Sequence, residues 1–424
     1  MKHATRLLLS ILAVVDLAVG NVISVSSKAH GKPTAAVQVN SWSGTTIGSV
    51  YCEYWMTNED SGNYILAADV GSDGQVNLRE AYATGGMGLH GINGGNTGPD
   101  GLFGQGSVAV SNVTNKLVAV NPGSGTVSLF SINPSDPSNL TLIGDPAGSG
   151  GQWPTSVTFN KAGDIVCALN GGEVNGVSCF SVNQTSGLTP LADTTRYLGI
   201  NQTTPAAGPT NTVSQILFSS DSSKLLVAYS GTTPTAPGYL GYYDIGVNGS
   251  LSKNFSAIAP PSGGVLPFSI TPVPGQEAYV VADPALGFEV YDLTGANRSS
   301  AVAISGQGAT CWSTYSPSTG SYLLIDAQGR IFEIAIDAAT LQSTIIGNYT
   351  QFLGDGLIDS DVMSVNGTDY MFTLAAGINS LEVFALPAPG RLQSVQQFNI
   401  STAVESVGIT VSSSMQGMVA YAKQ

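Results

Sequence analysis

The feature that most constrains this chain is a unit of about fifty residues that recurs about seven times. Its clearest copy runs from Gly151 to Leu191. There Ser156-Val-Thr-Phe159 leads to an Asn160-Lys-Ala-Gly163 turn, Ile165-Val-Cys-Ala-Leu169 to a Gly-rich loop, and Val177-Ser-Cys-Phe-Ser-Val182 to a turn at Gly187, before a last run from Leu188 to Asp193. Short runs of Val, Ile, Leu and Phe bounded by Gly, Asn and Asp, which accept the positive φ of hairpin turns, predict a four-stranded antiparallel sheet. Folding the hairpin over Asn170 to Gly176 sets Leu169 against Val177, Ala168 against Ser178 and Cys167 against Cys179. Opposed residues of a narrow antiparallel pair lie about 4.5–5.5 Å apart, within disulfide reach, so a Cys167–Cys179 bond is expected.

The other copies follow the same template, with second strands such as Leu117-Val-Ala-Val120, Lys224-Leu-Leu-Val-Ala228, Ala278-Tyr-Val-Val281, Tyr322-Leu-Leu-Ile325 and Tyr370-Met-Phe-Thr373. The first unit, Val50 to Tyr82, has three strands, and a spare strand Val407-Gly-Ile-Thr-Val411 and one more short strand remain at the end. Three plus one completes a sheet if the array is a ring, which also removes exposed edges. The expected fold is therefore all-β: a seven-bladed propeller of four-stranded antiparallel blades over residues 50–424, closed by a C-terminal strand joining the first blade. An open stack of sheets or two sandwiches is the competing arrangement. Residues 21–49, rich in Ser and Gly, read as a flexible arm or outer cover.

Residues 1–20 read as a signal peptide: Lys2, His3 and Arg6 precede the apolar run Leu7 to Val15, which is too short to span a bilayer, and Ala18-Val-Gly20 offers a small-residue cleavage site. A secreted, extracellular or wall location gives meaning to ten Asn-x-Ser/Thr acceptors, at Asn112, Asn139, Asn183, Asn201, Asn248, Asn254, Asn297, Asn348, Asn366 and Asn399. Chance alone would supply several in a chain this rich in Asn, Ser and Thr. A net charge of −14 without a basic cluster argues against nucleic acid and anionic membrane surfaces as partners.

Phe103-Gly-Gln-Gly-Ser-Val108, Val120-Asn-Pro-Gly-Ser124, Ser128-Leu-Phe-Ser-Ile132, Val166-Cys-Ala-Leu-Asn-Gly-Gly172 and Gly176-Val-Ser-Cys-Phe180 resemble fungal secreted proteins called 3-carboxymuconate-cyclase-like, within the seven-bladed lactonase family. The resemblance spans most of the mature chain. It implies either the chemistry of the catalytic relatives, which are carboxymuconate cycloisomerases and lactonases, or the role of the secreted branch, which looks like surface glycoproteins and antigens. The catalytic relatives place His, Arg and Glu in the channel behind His-x-His or His-Pro strand openings. The corresponding openings here, Gln152-Trp-Pro-Thr-Ser156 and Thr212-Val-Ser-Gln-Ile216, carry no histidine. The expectation is thus a diverged, wall-associated or adhesive glycoprotein; the alternative is a lactonase or cycloisomerase acting in the channel.

For the enzyme reading the candidates are His90 as acid/base and Arg196 as carboxylate grip, each weighed against an ordinary loop role. Asp355, Asp359, Asp361 and Glu405 converge in the expected register and suit channel calcium, against the plainer reading of solvated acids; no other cofactor is expected. Arg298, Arg330 and Arg391 are the other possible anion grips in the blades, and of these Arg330, in a tight hairpin, reads as outward-facing. Cys52 and Cys311 fall in non-neighbouring units: either they are buried thiols or the register is off. Trp153 and Trp312 open strands at the same point of their units, as stacking platforms or as packing. Expected partners are an extracellular polysaccharide, a wall or host-surface component, or a small carboxylate or lactone, met by a monomer on the face that carries the Gly85–Gly104 and Gly231–Gly238 segments.

Overall fold

The computed structural model describes residues 36–38, 50–95, 97–405 and 407–423. The segment read as a signal peptide lies outside them. Seven antiparallel sheets form, one per expected unit, and the four strands of blades 2 to 7 run from the channel outward in chain order. Blade 2 comprises Val108–Ser111, Lys116–Asn121, Thr126–Asn133 and Asp136–Leu142; blade 3, Pro154–Phe159, Ile165–Asn170, Gly176–Asn183 and Gly187–Pro190. Blade 4 comprises Thr212–Phe218, Lys224–Ser230, Tyr239–Asp244 and Ser256–Ile258; blade 5, Ile270–Pro272, Ala278–Asp283, Gly287–Asp292 and Ser300–Ala303. Blade 6 comprises Thr310–Ser316, Ser321–Asp326, Arg330–Ile336 and Ser343–Tyr349; blade 7, Leu357–Val365, Thr368–Ala375, Ser380–Ala388 and Arg391–Asn399.

Blade 1 holds Tyr51–Met56, Tyr64–Val70 and Val76–Ala83, and its innermost strand is Gln416–Ala422 from the other end of the chain. The ring therefore closes by the three-plus-one arithmetic, but not with the strand expected. The stretch 407–411 is not a strand. The chain leaves blade 7 on its outermost strand, and neighbouring strands lie about 4.8 Å apart, so it must cross the width of a blade to regain the axis. Helix Ile400–Glu405 and the run to Met415 make that crossing, and Ile409 and Met415 are buried on the way. From the 21–49 segment, Ala36–Gln38 pairs with Val76–Ala83 and so covers the outer edge of blade 1.

The first three strands of blades 2 to 7 are more buried than the outermost one, and their side chains fill the space between neighbouring blades. The predicted blade 3 register holds: Cys167 faces Cys179 and the two are disulfide-bonded. Cys52 and Cys311 are separate buried thiols in blades 1 and 6. No helix among the described residues is long and apolar enough to cross a membrane. Because successive strands alternate in direction, the connections after the second and fourth strands of every blade emerge on one face, called the upper face below.

Candidate functional site at the channel mouth

The inner strands share an irregularity. Blades 3, 4, 6 and 7 each carry a β-bulge where the strand begins, at Thr155, Ser214, Cys311 and Asp359, and the closing strand carries one at Gly417–Met418. A bulge inserts one residue and re-aims its neighbours, a device common at the rims of closed sheets. Here five bulges form a collar at the upper end of the channel.

The collar grips the chain's own connection from blade 1 to blade 2. Thr155 Oγ1 donates to Leu102 O at 2.8 Å and Ser156 Oγ to Gln105 O at 2.7 Å. Gln105 N donates to Ser214 O at 2.9 Å, and the Gln105 amide makes a two-way pair with Ser313, at 3.0 and 3.1 Å. Gly104 O accepts from Trp312 Nε1 at 3.2 Å and Gln416 Nε2 at 3.0 Å. One segment, Leu102 to Gly106, thus bonds to blades 1, 3, 4 and 6 and fills the mouth. Glycine is required at 104, where an added Cβ would lie 2.4 Å from Ser214 O. Leu102 and Phe103 are fully buried, with Phe103 6.0 Å from the Trp153 ring. Both candidate tryptophans are therefore packing elements that hold this loop, Trp153 through Leu89 O at 3.2 Å.

Under the loop lies an acid pair. Gln416 Nε2 reaches both Asp359 Oδ2, at 2.7 Å, and Asp100 Oδ1, at 3.3 Å. Asp359 Oδ2 also accepts from Gly417 N at 2.7 Å, while Asp359 Oδ1 and Gln416 Oε1 are buried without partners. Burial pushes the Asp359 carboxyl up to about 7. Burial pushes Asp100 up to about 8, and the Asp359 charge adds to it. The Cys311 thiol is raised too, by burial first and then by the Asp100 charge. The two carboxyls share the Gln416 amide, Asp359 fully buried and Asp100 partly exposed on the loop itself.

The expected catalytic pair does not converge. His90 sits in the same connection with Nδ1 2.7 Å from Gly91 O and Nε2 2.8 Å from Gly98 O, so both ring nitrogens are engaged by its own loop. Arg196 lies in a short strand at the upper end of blade 3's third strand and donates to Ser252 O at 2.9 Å, to Thr195 O at 2.8 Å and to Leu251 O, where it clamps the neighbouring blade. The expected calcium set is not assembled either: among the described residues no three His, Cys, Asp or Glu gather to hold a metal. Asp361 accepts from Ala420 N at 2.9 Å and Val362 N at 2.8 Å, which together with Asp359 stitches blade 7 to the closing strand. Glu405 is exposed at the end of its helix, and Asp355 lies half-exposed in a connection.

Two residues escaped the sequence reading. Asp100 gave no signal beyond a Pro-Asp-Gly turn, because only the folded collar brings this turn against Gln416. Arg330, read as outward-facing, lines a cavity of about 600 Å³ on the upper face with Pro99, Gln328 and Leu353. The hairpin that carries it was correctly placed; which face it emerges on depends on strand order.

No protein-family model matches the sequence, and no curated protein is recognisably similar to it. Solved structures are similar in fold. The periplasmic gluconolactonase of Pseudomonas aeruginosa superposes with a TM-score of 0.61 at 14% identity, over 88% of this chain and 100% of that one. A candidate 6-phosphogluconolactonase from Bacteroides fragilis gives 0.59 at 14%, over 89% and 99%. One from Bacteroides uniformis gives 0.56 at 14%, over 88% and 100%. At this identity the likeness establishes a lactonase-like seven-bladed propeller fold and no activity.

Proposed function

We propose that this chain is a secreted, N-glycosylated binding propeller of the wall- or surface-associated kind, diverged from the lactonases whose fold it shares, that recognises its ligand on the upper face. The observation that carries this reading is the Leu102–Gly106 segment, which occupies the channel mouth with bonds to four blades. The acceptor asparagines support it by their placement. Asn112, Asn183, Asn248, Asn254, Asn297 and Asn366 lie at connections after first or third strands, on the lower face. Asn139 and Asn348 lie on outermost strands; only Asn201 and Asn399 lie towards the upper face. All but Asn112 are exposed. Glycans at these positions shield the lower face and leave the other open, and loops on a rigid ring commonly carry recognition.

A second reading, a channel lactonase or cycloisomerase, draws on the buried Asp359 carboxyl as acid/base once the loop, which carries Asp100, is displaced. One assay separates the two. Purified protein offered gluconolactone, 6-phosphogluconolactone and 3-carboxymuconate is expected to give no rate above the uncatalysed one. Turnover that disappears in Asp359→Asn overturns the binding reading.

A further inference from the structure

The cavity at Arg330 opens on the upper face where blades 6 and 7 meet. Its walls are Pro99 from the channel-filling connection, Ala327 and Gln328 from the hairpin of blade 6, Leu353 and Gly354 from the connection to blade 7, and Gly377 from the 3-10 turn of blade 7. Apolar or side-chain-free surface dominates, with one amide and one guanidinium. At about 600 Å³ it falls within the range of small-molecule sites.

Among the described residues Arg330 forms no ion pair, and its Nε is buried without a hydrogen-bond partner. The nearest acid along the hairpin, Asp326, is occupied: Oδ2 accepts from Gly308 N at 2.6 Å and Ala309 N at 3.1 Å, and Oδ1 from Gln328 N at 2.8 Å. The hairpin is also rigid. Gly329 has φ +87°, and a Cβ there would meet Phe352 O at 1.7 Å, so the turn that presents Arg330 is fixed against the next connection. A buried donor without a partner costs about 1–3 kcal/mol, more when charged. The Arg330 side chain is partly exposed and lines the cavity, so its guanidinium can meet an acceptor there. In a chain of net charge −14, an unpaired cation held on a rigid turn inside a cavity selects against cationic ligands and for an anion.

We propose that this cavity is a binding site for a small carboxylate with an apolar body: the carboxylate meets the Arg330 fork, and the body lies along Pro99, Ala327 and Leu353. Arg suits this ligand because its planar donors match a carboxylate two to two. The site is distinct from the channel mouth, and it gives the binding reading a ligand class without requiring that the channel be silent.

The test is calorimetric titration of the full-length secreted protein with benzoate, with benzamide as its neutral counterpart, and with inorganic phosphate. Benzoate is expected to bind, with benzamide and phosphate at least tenfold weaker. Arg330→Gln is expected to weaken benzoate at least tenfold, and Arg330→Lys less. Leu353→Glu, at an exposed position that folding does not depend on, is expected to abolish binding by supplying an internal carboxylate to the same arginine. Benzamide or phosphate binding as tightly as benzoate, or benzoate affinity unchanged in Arg330→Gln or in Leu353→Glu, overturns the proposal, as does no benzoate binding to the parent protein at millimolar concentration. Lactone turnover would sink the binding reading and leave this site standing; failure of benzoate would do the reverse.

Discussion

Replacing Asp359 by Asn should make this protein more stable at alkaline pH and leave it nearly unchanged in acid. Asp359 Oδ2 accepts both hydrogen bonds, from Gln416 Nε2 and Gly417 N, whereas Oδ1 is buried without a partner. An amide fits that division, with its oxygen in the accepting place and its NH₂ at the oxygen that accepts no hydrogen bond. The groups facing Asp359 are the Gln416 amide, the Gly417 and Gly106 backbone N–H groups and the Asp100 carboxyl, and among the described residues no cation pairs with it. Its proton affinity is raised on folding, from 3.8 to about 7, so the folded state binds more protons than the unfolded one across that window. Stability from this group is therefore greatest in acid and falls as pH rises from about 4 to about 7. Fully developed, a gap of that size is worth about 4 kcal/mol, an upper bound because water entering the site relaxes it. Asp361, raised by burial to about 6, and Asp100, at about 8, titrate with the same sign and steepen the decline of the parent protein. Urea denaturation at pH 4 and pH 8 measures both. The variant should match the parent at pH 4 and exceed it at pH 8; a variant that is less stable at pH 8, or a difference independent of pH, refutes the reasoning.

Gly104→Ala should cost about 1–3 kcal/mol, since its methyl meets Ser214 O at 2.4 Å, and should red-shift the emission of Trp153 and Trp312; Gly148→Ala, with nothing within 4 Å, is the neutral control. Removing the Cys167–Cys179 bond by paired serine substitution should cost about 3 kcal/mol on a loop-entropy basis for a separation of 12 residues, read from denaturation midpoints. A midpoint unchanged by that double substitution would show that the blade 3 hairpin keeps its register without the bond.

Most of the ring was legible in the sequence, because every blade repeats the same hairpin logic and the pairing of Cys167 with Cys179 follows from one turn. The closing strand was misread for a local reason. Val407-Gly-Ile-Thr-Val411 has stronger strand propensity than Gln416-Gly-Met-Val-Ala-Tyr-Ala422, and propensity does not contain the distance the chain must cover from the edge of blade 7 to the axis. The site was misread for a similar one. Histidine and arginine were sought because their chemistry is conspicuous, but His90 is tied to two carbonyls of its own loop and Arg196 to three carbonyls at a blade edge. The collar is made of Thr155, Ser214, Cys311, Asp359 and Gly417–Met418, ordinary residues in a strand, and a bulge is a property of two paired strands that neither sequence announces alone.

Whether the filled channel could still serve as an active site is a question of population. Opening it exposes Leu102 and Phe103, both now fully buried, at about 1.5–3 kcal/mol each. The apolar term alone is about 4 kcal/mol, or a closed-to-open ratio on the order of a thousand. Against this stands backbone strain in the closed form. Asp100, Phe103, Trp153 and Asp359 all hold positive φ, at 67°, 50°, 54° and 29°, and such residues cost about 1–3 kcal/mol each where the surroundings enforce them. Strain on Asp100 and Phe103 is released when the loop leaves. Strain on Trp153 and Asp359 belongs to the collar and stays. The two terms are of similar size, so the loop's bonds to four blades decide the balance: the closed state persists because Gln105, Gly104 and Leu102 are held together by strands that do not move independently. A ligand that opens this channel must bind the open form tightly enough to replace those bonds, whereas a ligand for the Arg330 cavity finds its guanidinium already presented and pays no such opening cost.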